Sequence, residues 1–146
     1  MTTVTELIDC GRQLGAMRVQ PMGMSTRLAG AIVLRQAYEQ CVDEYWQWVA
    51  PALQGASQRN QLVALRSYAG QDAAKTAAYL WHVLSDACHY DGYELPPTTH
   101  EIEHLASRLD ELRAALVVAA RRSPRRTSAR RGGAPLTTNP SPDPSV

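Results

Sequence analysis

The chain has 146 residues, of which 45% are hydrophobic, with no Phe and a formal net charge of +1. That is long enough to bury one core without disulfide or metal staples, and no run approaches the roughly 20 apolar residues that span a bilayer. The near-neutral total hides a split: residues 1–120 carry nine basic and thirteen acidic side chains, whereas residues 121–146 carry six Arg and one Asp. The split predicts an acidic body over 1–120 followed by a disordered basic tail over 121–146.

A single Lys stands against fourteen Arg, a mark of a GC-rich coding source rather than of a mechanism. The three cysteines, Cys10, Cys41 and Cys88, are odd in number and form no C-x-x-C pair. That count and spacing argue against a disulfide framework and for a reducing compartment, with each thiol expected to act as a small buried hydrophobe. The opening MTTVTELIDCGRQLGAM lacks the basic flank and unbroken apolar stretch of a signal peptide. A cytoplasmic location, with no membrane partner, is the expectation.

Apolar residues recur at three and four, never in strict alternation, so every predicted element is a helix. Thr3 and Glu6 are spaced as a capping box. Val4, Leu7, Ile8, Leu14 and Met17 then share one face of a first helix ending near Val19, before Pro21. Gly11 and Gly15 each weaken that helix by up to about 1 kcal/mol. Ser25 or Thr26 caps a longer second helix. Its predicted buried stripe is Leu28, Ile32, Leu34, Tyr38, Cys41, Val42, Tyr45, Trp46 and Val49, with Pro51 ending or kinking it. Ser57 opens a short third helix with Leu62, Leu65 and Tyr68 inward and Gly70 closing it. Asp72 caps a fourth, with Ala73, Thr76, Ala77, Leu80, Trp81, Leu84 and Cys88 inward, and Asp91-Gly92 marks a turn. Pro96 and Pro97 hold an extended connection to the last helix, about Thr98 to Ala120, which buries Ile102, Leu105, Leu109, Leu112 and Leu116. The sum is an all-α bundle of about five helices. Beyond it, RRSPRRTSARRGGAPLTTNPSPDPSV has almost no bulky apolar side chains with which to offset its ordering entropy.

The start of the last helix raises a chemical question. His100, Glu101 and His104 fit H-E-x-x-H, in which two His on one helix face hold zinc and the Glu acts as general base. Asp110 falls six residues past His104, where an extended zinc-peptidase pattern has its third ligand. That pattern has Gly at position 107 to turn the chain back, and this sequence has Ser107 within a continuing leucine period. A straight helix leaves Asp110 unable to close the site. The same letters also spell a Thr98-x-x-Glu101 capping box, with Glu101 and Glu103 at the positive end of the helix dipole. No cofactor is expected, with zinc on His100 and His104, and Glu101 as base, as the alternative.

The stretch LWHVLSDACHYDGYELPPTTHEIEHL gathers all four His at one corner between helices. His82 and His89 are seven apart, about 10.5 Å along a helix, too far for one metal ion. A five-helix bundle with polar residues and a His before its final helix resembles the HEPN superfamily over residues 25–120, and LSDACHYDGYELPPT is similar to segments of actinobacterial bundle proteins of that kind. The resemblance implies association with RNA or with a second copy, in a toxin–antitoxin, defence or phage-related setting. HEPN ribonucleases carry an Arg followed, after four to six residues, by a His acting on an RNA phosphate. His89 matches that His, but His82, Val83 and Leu84 stand where the Arg should be. Lys75 and His82 keep a basic residue and a His in place of the motif, although Lys does not replace Arg in a bidentate clamp. His89, His82 and Lys75 are therefore the candidate catalytic residues of a metal-independent ribonuclease, with Arg66 or a partner chain as further sources of positive charge, and a non-catalytic member is favoured over it.

Two further features point to partners. Tyr45, Trp46 and Trp48 cannot all face inward from one helix, so one aromatic is left for a dimer face. Arg121, Arg122, Arg125, Arg126, Arg130 and Arg131 suit nucleic-acid binding by counterion release. Without interleaved aromatics they predict no sequence-specific readout.

Overall fold

The computed structural model describes residues 1–18, 25–89 and 95–123. Among them the chain is an all-α bundle of five helices: α1 (Val4–Ala16), α2 (Thr26–Val49), α3 (Gln58–Ala69), α4 (Gln71–Cys88) and α5 (Thr99–Arg122). A 3-10 turn, Pro51–Leu53, follows α2. The Asp91-Gly92 turn and the tail beyond Ser123 lie outside the described residues.

Local chemistry sets the helix starts. At α1 the Glu6 amide donates to Thr3 Oγ1 at 3.2 Å and the Thr3 amide donates back to Glu6 Oε2 at 2.6 Å. At α5 the Glu101 amide donates to Thr98 Oγ1 at 3.1 Å and the Thr98 amide to Glu101 Oε2 at 2.6 Å. Both capping boxes are complete, so two otherwise orphaned backbone donors are satisfied at each end. Ser57 caps α3 by accepting from the Asn60 amide. Gly70, at φ 95°, is both the stop of α3 and the cap position of α4, a conformation that costs glycine little. Asp72 accordingly sits inside the first turn of α4 and does not cap it.

The longest buried face belongs to α2, against which α1, α4 and α5 all pack. Tyr38 and Trp46 are its largest fully buried side chains. The five predicted apolar residues of α5, Ile102, Leu105, Leu109, Leu112 and Leu116, are all buried. Not every expected position is buried. Leu28 and Ile32 are only half-buried, while Gly30 and Ala31 between them are buried. Met17 is 51% exposed, because α1 ends at Ala16.

The shift on α2 has a packing cause. The buried stripe of α1 is Val4, Ile8, Gly11 and Gly15, and its two glycines meet Gly30 of α2. A Cβ on Gly15 would overlap Ile102 Cγ2, and one on Gly30 would lie 3.0 Å from the Gly11 carbonyl oxygen. The glycines that weaken α1 as an isolated helix are what let α1, α2 and α5 approach closely, and the surrounding side chains pack accordingly.

Across that seam lies Arg12, whose guanidinium pairs with Asp110 at 2.8 Å, Glu103 at 3.1 Å and Asp9 at 3.7 Å. It also donates to Ser107 Oγ at 3.4 Å. The corner after α2 is held by glutamines: Gln61, buried, donates to the Leu53 and Gln54 carbonyls, and Gln58 donates to the Tyr38 hydroxyl at 2.8 Å. Of the three free cysteines, Cys41 is buried, Cys88 half-buried and Cys10 exposed, so only the first is the core hydrophobe expected of all three.

Candidate functional site: the outer face of α3 and α4

Lys75, His82 and His89 stand seven residues apart, so on α4 they form one straight ridge with steps of about 10.5 Å. All three are exposed. His82 Nε2 lies 3.4 Å from Asp86 Oδ2, one turn on. His89 is the C-cap residue of α4, and its backbone N–H donates to the Ser85 and Asp86 carbonyls. The structure thus gathers the three candidates on one face but not around one point. A base and a cation acting on the same phosphate must both lie within hydrogen-bond reach of it, and no such pair forms on this ridge.

Beside the Lys75 end of the ridge runs a groove of about 620 Å³ between α3 and α4. Residues from both ends of α3, Arg59 and Arg66, line it together with Gln71, Lys75 and Trp81 of α4. The helices fold back on each other because a single residue, Gly70, joins them. Trp81 is fixed from behind: the Arg35 guanidinium stacks 4.6 Å from its ring centroid and Tyr38 lies tilted at 5.9 Å. Arg35 is itself held by Glu39 at 3.2 Å. Lys75 and Arg66 stand out in the sequence as sources of positive charge, whereas Arg59 joins them only in the groove that forms once the two helices are paired.

The H-E-x-x-H letters occupy the opposite edge of α4. Glu101, His104, Asp86 and Tyr79 line a smaller notch of about 260 Å³ between α4 and α5. The Glu101 carboxylate is committed to the capping box, and the backbone hydrogen bond from Thr98, followed by the Thr98 side-chain bond, holds it below the usual carboxylate range. A base so stabilised in its charged form accepts a proton less readily. His104 meets the edge of Tyr79 with ring centroids 6.4 Å apart, and His100 is exposed. Asp110 is taken by Arg12. Among the described residues no group of three His, Cys, Asp or Glu with metal-binding geometry occurs at His100 and His104.

Arg121 and Arg122 belong to the last turn of α5, two residues beyond the expected body–tail boundary, and both are exposed. Arg is a good helix former and its charge favours the negative end of the helix dipole, which carries α5 past Ala120. Arg125, Arg126, Arg130 and Arg131 lie outside the described residues. Of the α2 aromatics, Tyr45 and Trp46 are buried and Trp48 is 52% exposed, as the pattern requires. No helix among the described residues is long and apolar enough to cross a membrane.

No protein-family model, no curated protein and no solved structure matches the chain.

Proposed function

We propose that this chain is a small, non-catalytic helical association protein whose partner is RNA, held by the basic end of α5 and the Arg-rich segment that follows it. The observation that carries the reading is the segregation of charge: thirteen acidic and nine basic side chains over residues 1–120, then six Arg within residues 121–131. The first two, Arg121 and Arg122, stand exposed on the last turn of a helix anchored in the core. Such a cluster attracts a phosphate backbone by releasing condensed counterions. The HEPN-like resemblance supplies the setting of the proposal, a toxin–antitoxin, defence or phage-related one. The spacing along Lys75, His82 and His89 favours binding over cleavage, because no base and cation converge. Self-association belongs to the same reading, with Trp48 as the aromatic on the shared face.

The test is titration of a labelled single-stranded RNA with the full chain and with a variant carrying all six Arg→Ser. Binding should weaken steeply with salt, with a logarithmic slope of about −4 if all six Arg meet phosphates, and the variant should lose tenfold or more in affinity. No binding at low salt, or RNA cut by the wild type and spared by His89→Ala, overturns the reading.

A further inference from the structure

Among the described residues the bundle carries cations that no described carboxylate pairs with. Arg12, Arg35 and Arg108 each have an acidic partner within 4 Å. No ion pair among the described residues involves Arg59, Arg66 or Lys75. Those three line one groove, and no Asp or Glu among the described residues lines it with them. The carboxylates of α4 turn elsewhere: Asp72 lines a groove toward α5, and Asp86 pairs with His82 and lines the notch. Like charges left together without counterions raise the energy of a surface unless an anion completes it.

The remaining lining narrows the anion. Val63 is 69% exposed, Ala78 lies across from it and the Trp81 indole, held by Arg35 and Tyr38, is a rigid wall. A small inorganic anion has no use for apolar walls. A duplex hides the faces of its bases and offers only its backbone. A single strand offers phosphates and flat apolar bases together, the combination that charged, aromatic-lined channels accept without sequence preference. We infer that the α3–α4 groove binds single-stranded nucleic acid, with Arg59, Arg66 and Lys75 on successive phosphates and bases laid against Val63 and Trp81. The inference rests on RNA as partner class, as above, and adds a second, bundle-borne site to the basic end of α5.

Full-length Arg59→Glu/Arg66→Glu/Lys75→Glu, checked for wild-type circular dichroism and thermal midpoint, should bind single-stranded RNA at least tenfold more weakly. Its salt slope should be shallower by about 2, the share of three phosphate contacts on a single strand. The variant with six Arg→Ser should keep residual binding that prefers a single strand over a duplex of the same length. If charge reversal perturbs folding, the milder Arg59→Gln/Arg66→Gln/Lys75→Gln should still flatten the slope. Unchanged affinity and slope in the groove variants, beside a large loss in the six-Arg variant, overturn the groove and leave the α5 reading intact. Loss in the groove variants alone supports the groove and removes the α5 reading. Equal binding of duplex and single strand by the six-Arg variant overturns the inference.

Discussion

The seam of α1, α2 and α5 and the outer face of α3 and α4 are built from similar residues used in opposite ways. Both contain arginines on helices that pack closely. In the seam, small residues let backbones approach, and the one guanidinium, Arg12, meets Asp9, Glu103 and Asp110 at once. On the α3–α4 face a surface groove runs along the two packed helices, and Arg59, Arg66 and Lys75 meet no carboxylate among the described residues. The first region spends its charge on its own structure and the second leaves it outward. Residue type alone does not separate a paired arginine from an unpaired one; what faces it does.

The sharpest way to break this contrast is at the glycines. Gly15→Ala places a methyl group inside Ile102, and the overpacking should destabilise the protein by about 1–3 kcal/mol, read as a lower urea midpoint. Gly55→Ala, with nothing within 4 Å, should stay within about 0.5 kcal/mol of wild type. If the two behave alike, the seam is looser than described.

Next in size is the arginine pair. Arg12→Ala removes the partner of two half-exposed carboxylates and should cost about 1 kcal/mol, as a network rather than a lone surface pair. Arg66→Ala should leave stability unchanged and weaken RNA binding. The reverse pattern would exchange the roles assigned to the two regions.

These two sets of residues differ in how far the sequence reveals them. The capping boxes at Thr3 and Thr98, the Ser57 cap, the Gly70 stop and the α5 leucines were legible because each depends on neighbours within a few positions. Gly11 and Gly15 looked like weak points, since their value comes from Gly30 and Ile102, which are distant in the chain. The Arg12 hub joins residues more than ninety positions apart. Arg59 of the groove was missed for the same reason, and Tyr68, expected inward, is 39% exposed because α3 is covered on a narrow face only. Periodicity finds what one helix buries, not what two helices jointly enclose.

A smaller effect should come from acid. The carboxyl pKa values of Glu101 and Glu6 are lowered in the folded chain, chiefly by backbone hydrogen bonds from Thr98 and Thr3. A lowered folded pKa gives stability that is present above the usual 4.5 and lost as pH falls through the folded value. Glu101→Gln, which keeps a capping-box side chain at that position, should flatten the decline between pH 5 and 3 (about that window for carboxylates). An unchanged decline would mean that the boxes do not hold in solution. The smallest effect expected is that of zinc. One equivalent should not move the thermal midpoint, and a rise that His104→Ala removes would return the α4–α5 notch to a metal site.

The three thiols differ in cover, and that makes them timers. Cys10 is exposed, Cys88 half-buried and Cys41 buried, where desolvation raises its thiol to about 12. Only a thiolate attacks an aromatic disulfide reagent, forming a mixed disulfide and releasing the aromatic thiolate, so at mild pH one thiol should be consumed at once. The last should react only as often as the core opens. The rate of that final step reports the global opening equilibrium of the bundle without denaturant, and adding single-stranded RNA during the reaction would show whether the proposed strand binding slows it.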